Sequence, residues 1–191
     1  MTEPTRALPD DAGPVLLAAA RAAIADVLGV PGPTPPPWPT WADAVLGTFV
    51  TLTQGGELRG CVGTLVEHVP LREGVAANAV RAARRDPRFP PLTAAELART
   101  RIEVSVLSAA EPMTVTSEDE AFAALRPGVD GVIFSASGCQ ATFLPQVWEQ
   151  LPDPRTFLAH LRRKAGLPDG YWGPDARLSR YTVQAWEEDS P

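Results

Sequence analysis

The chain has little of what several large classes of protein require. Its 191 residues include only two cysteines and two histidines, and its net charge is −6. Two cysteines do not suggest a disulfide framework, so we expect free thiols. No apolar run approaches the roughly 20 residues that cross a bilayer, and the first dozen residues lack the features of a signal peptide. These absences predict a cytoplasmic protein without a membrane segment.

Motifs that hold common cofactors are missing as well. His68 and His160 do not fall into the spacing of metal ligands, and no dinucleotide loop or Walker loop occurs. We therefore expect no metal ion and no cofactor. The acidic net charge disfavours nucleic acid as a partner. Arginines cluster between Arg72 and Arg88 and again near Arg162. We interpret them as solvated helix faces, with an anion site for a small molecule or a nucleotide as the alternative.

Proline and glycine, by contrast, are abundant at 21 and 15 residues, and they divide the chain into short elements. Residues 1–13 are polar and predict a flexible tail. Residues 14–191 predict a single domain, with two lobes at 14–110 and 111–191 as a variant. Its first helix is expected from Pro14 to Gly29. The proline-rich residues 31–39 then form an extended connector.

The elements that follow occur twice in the same order. In the first half, a hairpin turns at residues 55–56, a helix spans 71–85, a capping box at Thr93 opens a short helix, and a strand spans 101–108. In the second half, a hairpin turns at residues 137–138, and the remaining elements are two helices and a strand, at 146–150, 154–165 and 178–186. This order predicts an α+β fold, mainly antiparallel sheet with flanking helices, and an internal duplication of a hairpin–helix–helix–strand unit.

The segment Leu58–Gly63 places a lone cysteine between two glycines on a predicted strand. Residues two apart on a strand share a face, so Arg59 and Cys61 are side by side. A nearby guanidinium favours the nucleophilic thiolate, and a strand glycine marks a close approach of a ligand or of another backbone. We therefore interpret Cys61 and Arg59 as catalytic candidates and Gly60 and Gly63 as ligand-binding candidates. The alternatives are a small buried residue for Cys61 and a structural ion pair for Arg59.

The two-residue loop of the first hairpin sets the expected register. It pairs Leu52 with Arg59 and Val50 with Cys61, and it leaves both faces of the hairpin largely apolar.

Arg59 then needs a carboxylate partner, because an unpaired buried charge is costly. Glu103 is the first candidate, and thereby a third catalytic residue, since it faces away from the apolar positions of its strand. Asp86 and Glu67 are the alternatives.

Three further residues are candidates for ligand binding. Asn78 lies on the inward stripe of its helix, where a satisfied core amide is the alternative. Arg88 belongs to the basic cluster and is a candidate for holding an anion. Gln146 stands at the start of a short helix, where free backbone N–H groups bind anions, and a solvated helix start is the alternative. Cys139, at a hairpin tip, is interpreted as incidental.

Five segments carry a resemblance to a known family, and they occur in the family's order over nearly the whole chain. They are Leu58–Gly63, Asp86–Leu92, Ile102–Ser108, Phe143–Trp148 and Lys164–Leu167. On these segments the chain resembles the AMMECR-one domain family, in particular the A component of the AmmeMemoRadiSam three-protein set. One departure lies at residues 139–142, where family members more often carry glycine and charge, and it argues against a role for that hairpin tip.

The resemblance implies two protein partners, a Memo-type protein and a radical S-adenosylmethionine protein. These two partners imply a pathway that modifies a small molecule, a nucleotide or a protein. In it, Cys61 is the nucleophile or covalent carrier, Arg59 activates it or binds an anion, and Glu103 orients Arg59 or moves protons. The alternative is a non-catalytic ligand-binding or scaffold module that uses the same segment, so whether the protein is an enzyme stays open at this point. RNA contact ranks last.

Overall fold

The computed structural model describes residues 7–65 and 68–189, which form two compact units. The first unit runs to residue 108 and includes the segment from residue 184, and the second comprises residues 109–183. Each unit has its own sheet and its own apolar core. No helix within the described ranges is long and apolar enough to cross a bilayer.

Helices and short strands alternate along the chain. The α-helices are α1 (Ala12–Leu28), α2 (Leu71–Arg84), α3 (Ala94–Leu97), α4 (Glu118–Ala124) and α5 (Pro154–Lys164), with 3-10 helices at Thr40–Asp43 and Pro145–Glu149. The strands are β1 (Thr48–Gln54), β2 (Glu57–Thr64), β3 (Arg101–Leu107), β4 (Glu111–Pro112), β5 (Gly131–Ala136), β6 (Cys139–Phe143), β7 (Arg177–Tyr181) and β8 (Val183–Glu187). The predicted α+β class with antiparallel sheet is confirmed.

The first unit is a four-stranded sheet in the order β2-β1-β3-β8, with α1 and α2 packed on one face. Alternate residues of its central strands point to the helices. Val50 and Leu52 on β1 and Ile102 and Val104 on β3 are fully buried. Removal of this apolar set from water is the main force that holds the helices to the sheet. Gly29 ends α1 as predicted, at φ 67°.

The second unit has a sheet in the order β4-β7-β5-β6 and an aromatic core. Trp148 stacks on Phe157 with ring centroids 3.7 Å apart, and its Nε1 donates to the carbonyl oxygen of Asp130 at 2.7 Å. The buried indole N–H is therefore satisfied, as burial requires. Helix α5 begins at the predicted N-cap, since the Asp153 carboxylate accepts from the backbone N–H of Thr156 at 2.9 Å.

The last strand of the prediction differs from the structure. Residues 178–186 were expected as one strand, whereas the structure has β7 and β8 on either side of Thr182, in different sheets. The predicted lobe boundary near residue 110 also left this C-terminal segment in the second lobe, while β8 lies in the sheet of the first unit. The sequence on either side of Thr182 contains no turn residue, so it does not predict that the strand is divided there.

The stretch before α1 is held to the first unit. Leu8 is buried, and it forms two hydrogen bonds with Gln184, one from its own N–H at 2.8 Å and one to its carbonyl oxygen at 3.1 Å. The tail expected at residues 1–13 is therefore fixed from Leu8 onward, and residues 1–6 lie outside the described residues.

Both sheets repeat one arrangement. In each, the second strand of the hairpin is the outer one and the returning strand pairs with the first, as β2-β1-β3 and as β6-β5-β7. The two hairpin turns also match, since all four residues have positive φ, from 53° at Ser137 to 84° at Gly56. These are the angles of the type I′ turn that suits a two-residue hairpin. A duplication of an ancestral unit stays a prediction.

Helix α2 lies close to the backbone of β2 at Gly60. A Cβ atom at this position would lie 2.5 Å from the carbonyl oxygen of Ala82, closer than real Cβ contacts. The residue can therefore only be glycine unless α2 moves away from β2.

We expect Gly60→Ala to lower the free energy of unfolding by about 2 kcal/mol or more, because the new methyl group meets rigid helix backbone. Urea denaturation measures this. Gly170→Ala is the control, since no atom lies within 4 Å of its Cβ position, and its change should stay within about 0.5 kcal/mol. Equal effects of the two substitutions would mean that α2 shifts at no cost.

Candidate functional site

A β-bulge shapes the strand that carries Cys61. Thr53 pairs with Leu58 and Leu52 pairs with Gly60, so Arg59 is an extra residue without a partner on β1. The predicted pairing of Leu52 with Arg59 is therefore wrong. The extra residue shifts the register by one position, and such a shift moves the following residues to the opposite face.

The shift also changes the comparison of the two hairpins. Counting from the turns predicts that Cys61 corresponds to Phe143. The second hairpin pairs regularly, with Ile133 opposite Thr142, as Thr51 lies opposite Cys61 in the first. Cys61 therefore corresponds to Thr142, and Arg59 has no counterpart in the second unit.

Cys61 lies in a polar row that crosses three strands. Thr51 pairs with Cys61 on one side and with Glu103 on the other, in place of the predicted pairing of Val50 with Cys61. The Thr51 hydroxyl donates to the Cys61 sulfur at 3.4 Å. The three residues are partly exposed, on the face opposite to the helices. The expectation that both faces are apolar is therefore wrong, and the Cys61 side chain lies on the polar face.

Glu103 has a different neighbour from the one predicted. Its carboxylate accepts from the Ser105 hydroxyl at 3.1 Å, within its own strand. It forms no ion pair with Arg59, so that expected pairing is wrong.

Arg59 pairs with Glu96 of the short helix α3. Its Nε and Nη2 donate to the two carboxylate oxygens at 3.1 and 3.4 Å. The hydrogen bond from Arg59 is the main reason that the pKa of Glu96 falls from 4.5 to about 2, followed by those from Thr93 in the predicted capping box. The guanidinium also lies 6.0 Å from the Phe89 ring centroid. The charge of Arg59 is thus already neutralised by Glu96. Glu67, one of the alternative partners predicted for Arg59, lies outside the described residues.

Asp86 and Arg88 bind the backbone of Cys61 at the edge of the sheet. The Asp86 carboxylate accepts from the Cys61 N–H at 2.8 Å, and Nη2 of Arg88 donates to the Cys61 carbonyl oxygen at 3.1 Å. Arg88 also donates to both oxygens of Asp86, at 2.9 and 2.7 Å. We call this arrangement the Asp86–Arg88 clamp. The two side chains supply the hydrogen bonds that a further strand would make to this edge.

The clamp differs in exposure between its two members. Asp86 is 2% exposed in its side chain, whereas Arg88 is 53% exposed. Hydrogen bonds from Arg88 are the largest cause of the lowered pKa of Asp86, against the opposing effect of burial. The pKa of Arg88 is raised, mainly by Asp86 and to a smaller extent by the Cys61 side chain. Asp86 is therefore ionised at neutral pH, and its guanidinium partner lies beside Cys61.

The remaining ligand-binding candidates of the first unit have neighbours from the protein itself. Asn78 is buried, and its amide donates to the Thr48 hydroxyl at 2.8 Å, which matches the core-amide alternative. The space beside Gly60 is taken by Ala82, and a Cβ on Gly63 would lie 2.2 Å from the Phe49 ring. The ligand-binding roles of these residues stay predictions, but packing alone requires both glycines.

Gln146 belongs to the second unit. It is exposed on the 3-10 helix Pro145–Glu149, as the helix-start interpretation predicts. Cys139 is the first residue of β6, and both cysteines of the chain are free and partly exposed. In the described part of the chain, no three His, Cys, Asp or Glu side chains come together to hold a metal ion.

Sequence reasoning missed Thr51 and Glu96 and gave Asp86 only a secondary place. The capping box that contains Glu96 was visible, but nothing in the sequence places that short helix against Arg59. Thr51 could be found only from the bulged register. The spacing of Asp86 and Arg88 is compatible with a mutual ion pair, although the Cys61 backbone as their shared target is a tertiary contact.

The chain is similar to a protein family and to proteins from archaea. The family model AMMECR1 matches residues 17–186 of the chain. A protein from Methanothermobacter thermautotrophicus is 40% identical over 145 residues, which cover 75% of this chain and 76% of that protein. A protein from Thermococcus gammatolerans is 36% identical in an alignment of 197 residues, gaps included, that covers 95% of this chain and 93% of that protein.

A solved structure shares the whole fold. The crystal structure of uncharacterized protein PH0010 from Pyrococcus horikoshii is similar with a TM-score of 0.82 at 33% sequence identity. The similarity covers 96% of this chain and 95% of that chain, so it includes both units.

The Arg59–Glu96 pair predicts a component of acid sensitivity. Because the pKa of Glu96 is lowered from 4.5 to about 2, the pair stabilises the fold above pH 4.5 and loses its effect as the pH falls toward 2. Between pH 4.5 and pH 2, the unfolding free energy of Glu96→Gln should therefore fall by about 1 kcal/mol less than that of the unmodified protein. Urea denaturation at several pH values measures it. Glu57→Gln, at an exposed position of β2, is the control, and an equal effect there would contradict the assignment.

Proposed function

The chain belongs to the AMMECR1 family, and we propose that it acts through Cys61 as a reactive thiol in the modification of a small molecule, a nucleotide or a protein. The observation that supports this proposal is the row of Cys61, Thr51 and Glu103 on the polar face of the first sheet. A thiol, a hydroxyl and a carboxylate lie there on neighbouring strands. Cross-strand neighbours are about 5 Å apart, which is close enough for one bound substrate to reach all three.

Each residue of the row has a separate task. The Thr51 hydroxyl donates to the Cys61 sulfur, and a hydrogen bond to the sulfur favours the thiolate over the thiol. The thiolate attacks an electrophilic carbon, a carbon–sulfur bond forms, and the leaving group departs with the electrons of the broken bond. When a substrate binds across the row, the Glu103 carboxylate transfers a proton to it or from it. Ser105 keeps that carboxylate in place.

The family also suggests the setting of this reaction. We propose a Memo-type protein and a radical S-adenosylmethionine protein as partners, in the cytoplasm, where free cysteines are common. The substrate is placed among small molecules, nucleotides and proteins rather than nucleic acids, because the net charge is −6.

A second candidate is a binding module without catalysis. It is favoured by the pairing of Arg59 with Glu96, which removes the activating charge expected beside the thiol. In that case, the polar face around Cys61 binds a ligand or a partner and the thiol is a passive contact.

Alkylation separates these two functions. We expect Cys61 to react with iodoacetamide at neutral pH faster than Cys139, because only Cys61 has a hydroxyl donor on its sulfur. Timed reactions followed by peptide mass spectrometry measure both rates in the same sample. A native protein in which Cys139 is labelled and Cys61 stays unmodified would remove the thiol function and leave the binding module.

A stability measurement complements the labelling. We expect Cys61→Ala to cost at most about 1–2 kcal/mol of unfolding free energy, because the clamp holds the backbone of this residue and its side chain is partly exposed. Leu52→Ala, at a fully buried position of the adjacent strand, should cost about 2–5 kcal/mol in the same assay. A cost for Cys61→Ala as large as for Leu52→Ala would identify the cysteine as core packing.

A further inference from the structure

Two guanidinium groups lie near Cys61, and their bonding differs. Arg59 precedes Cys61 by two residues, but its Nε and Nη2 are used by Glu96. Arg88 is remote in sequence, yet its Nη2 donates to the carbonyl oxygen of Cys61 at 3.1 Å. The guanidinium that touches the cysteine residue is therefore that of Arg88.

We propose that Arg88 is the cation that stabilises the Cys61 thiolate and that Asp86 is the positioning residue that holds Arg88 there. The inference rests on the proposed function of Cys61 and deepens it. It transfers to Arg88 the role that sequence spacing gave to Arg59, and it gives a task to the buried carboxylate of Asp86.

The geometry of the clamp supports this assignment. Asp86 binds Arg88 through both carboxylate oxygens and binds the Cys61 N–H with one of them, so three groups are fixed relative to one another. Bidentate pairing leaves a guanidinium little freedom to turn away. The same carboxylate carries a negative charge close to the thiol, so the two members of the clamp act on the thiolate in opposite directions.

Four charged groups of the first unit lie around Cys61. Arg59 is on the same strand, Glu103 is on β3 opposite Thr51, and Asp86 and Arg88 are on the segment after α2. Arg59 and Arg88 are both ion-paired, with Glu96 and with Asp86, but the guanidinium of Arg88 also donates to the Cys61 carbonyl oxygen. Glu103 is two strands away. The members of the clamp are thus the charges that should control the ionisation of this thiol.

The test uses matched substitutions in the full chain and measures the pH at which the alkylation rate of Cys61 is half-maximal. Arg88→Gln should move this midpoint up and slow the reaction at neutral pH about threefold or more. Asp86→Asn should move it down, because it removes the negative charge and keeps an amide oxygen that can accept from Arg88. Arg59→Gln makes the same chemical change as Arg88→Gln on the neighbouring guanidinium, and its shift should be smaller. Cys139 reports the rate in the second unit as an internal reference. A loosened structure can change rates, but it does not produce midpoint shifts of opposite sign for the two members of one ion pair.

A second measurement does not depend on reactivity. In a Cys139→Ser background, the ultraviolet absorbance of the thiolate follows the ionisation of Cys61 directly. Equal titration curves with Arg88 and with Arg88→Gln, or a larger shift from Arg59→Gln, would overturn the assignment. If Cys61 ionises as expected but does not react with the alkylating reagent, the thiol function fails while the role of Arg88 stands.

Discussion

The insertion of Arg59 into β2 is the constraint on which the candidate site depends. If Arg59 instead paired regularly with Leu52, Cys61 would lie opposite Val50, on the face that α2 covers. With the bulge, Cys61 lies opposite Thr51 on the polar face, and Gly60 takes the place beneath the helix. Compared with regular pairing of the same sequence, the bulge thus exchanges a thiol and a glycine between the two sides of the sheet. The ion pair with Glu96 holds the inserted residue in place.

The bulge at Arg59 and the Asp86–Arg88 clamp at Cys61 fix the same strand at positions two residues apart. The bulge determines the direction of the Cys61 side chain, and the clamp determines where its peptide groups lie. Edge strands with free backbone groups invite unwanted pairing with other chains, and the clamp removes that risk at this position. The segments Leu58–Gly63 and Asp86–Leu92, the first two of the five that carry the family resemblance, are therefore in contact.

Much of the fold could be predicted from the sequence, because turn residues and caps act locally. The hairpin turns at residues 55–56 and 137–138, the cap at Asp153 and the end of α1 at Gly29 all follow from conformational preferences of single residues. The bulge, the partner of Arg59 and the division of the last strand at Thr182 depend on contacts between segments distant in sequence. No local pattern specifies them, so the candidate residues were identified while their partners were not.

The division of the last strand has a consequence for the synthesis of the chain. The sheet of the first unit contains β8, which is translated after the whole second unit. While the chain emerges from the ribosome, β3 has no neighbour on its outer side until residues 183–187 appear. The second unit contains all four of its strands within residues 109–183, so it can complete its sheet earlier. The unit that is made first is therefore the one that is finished last.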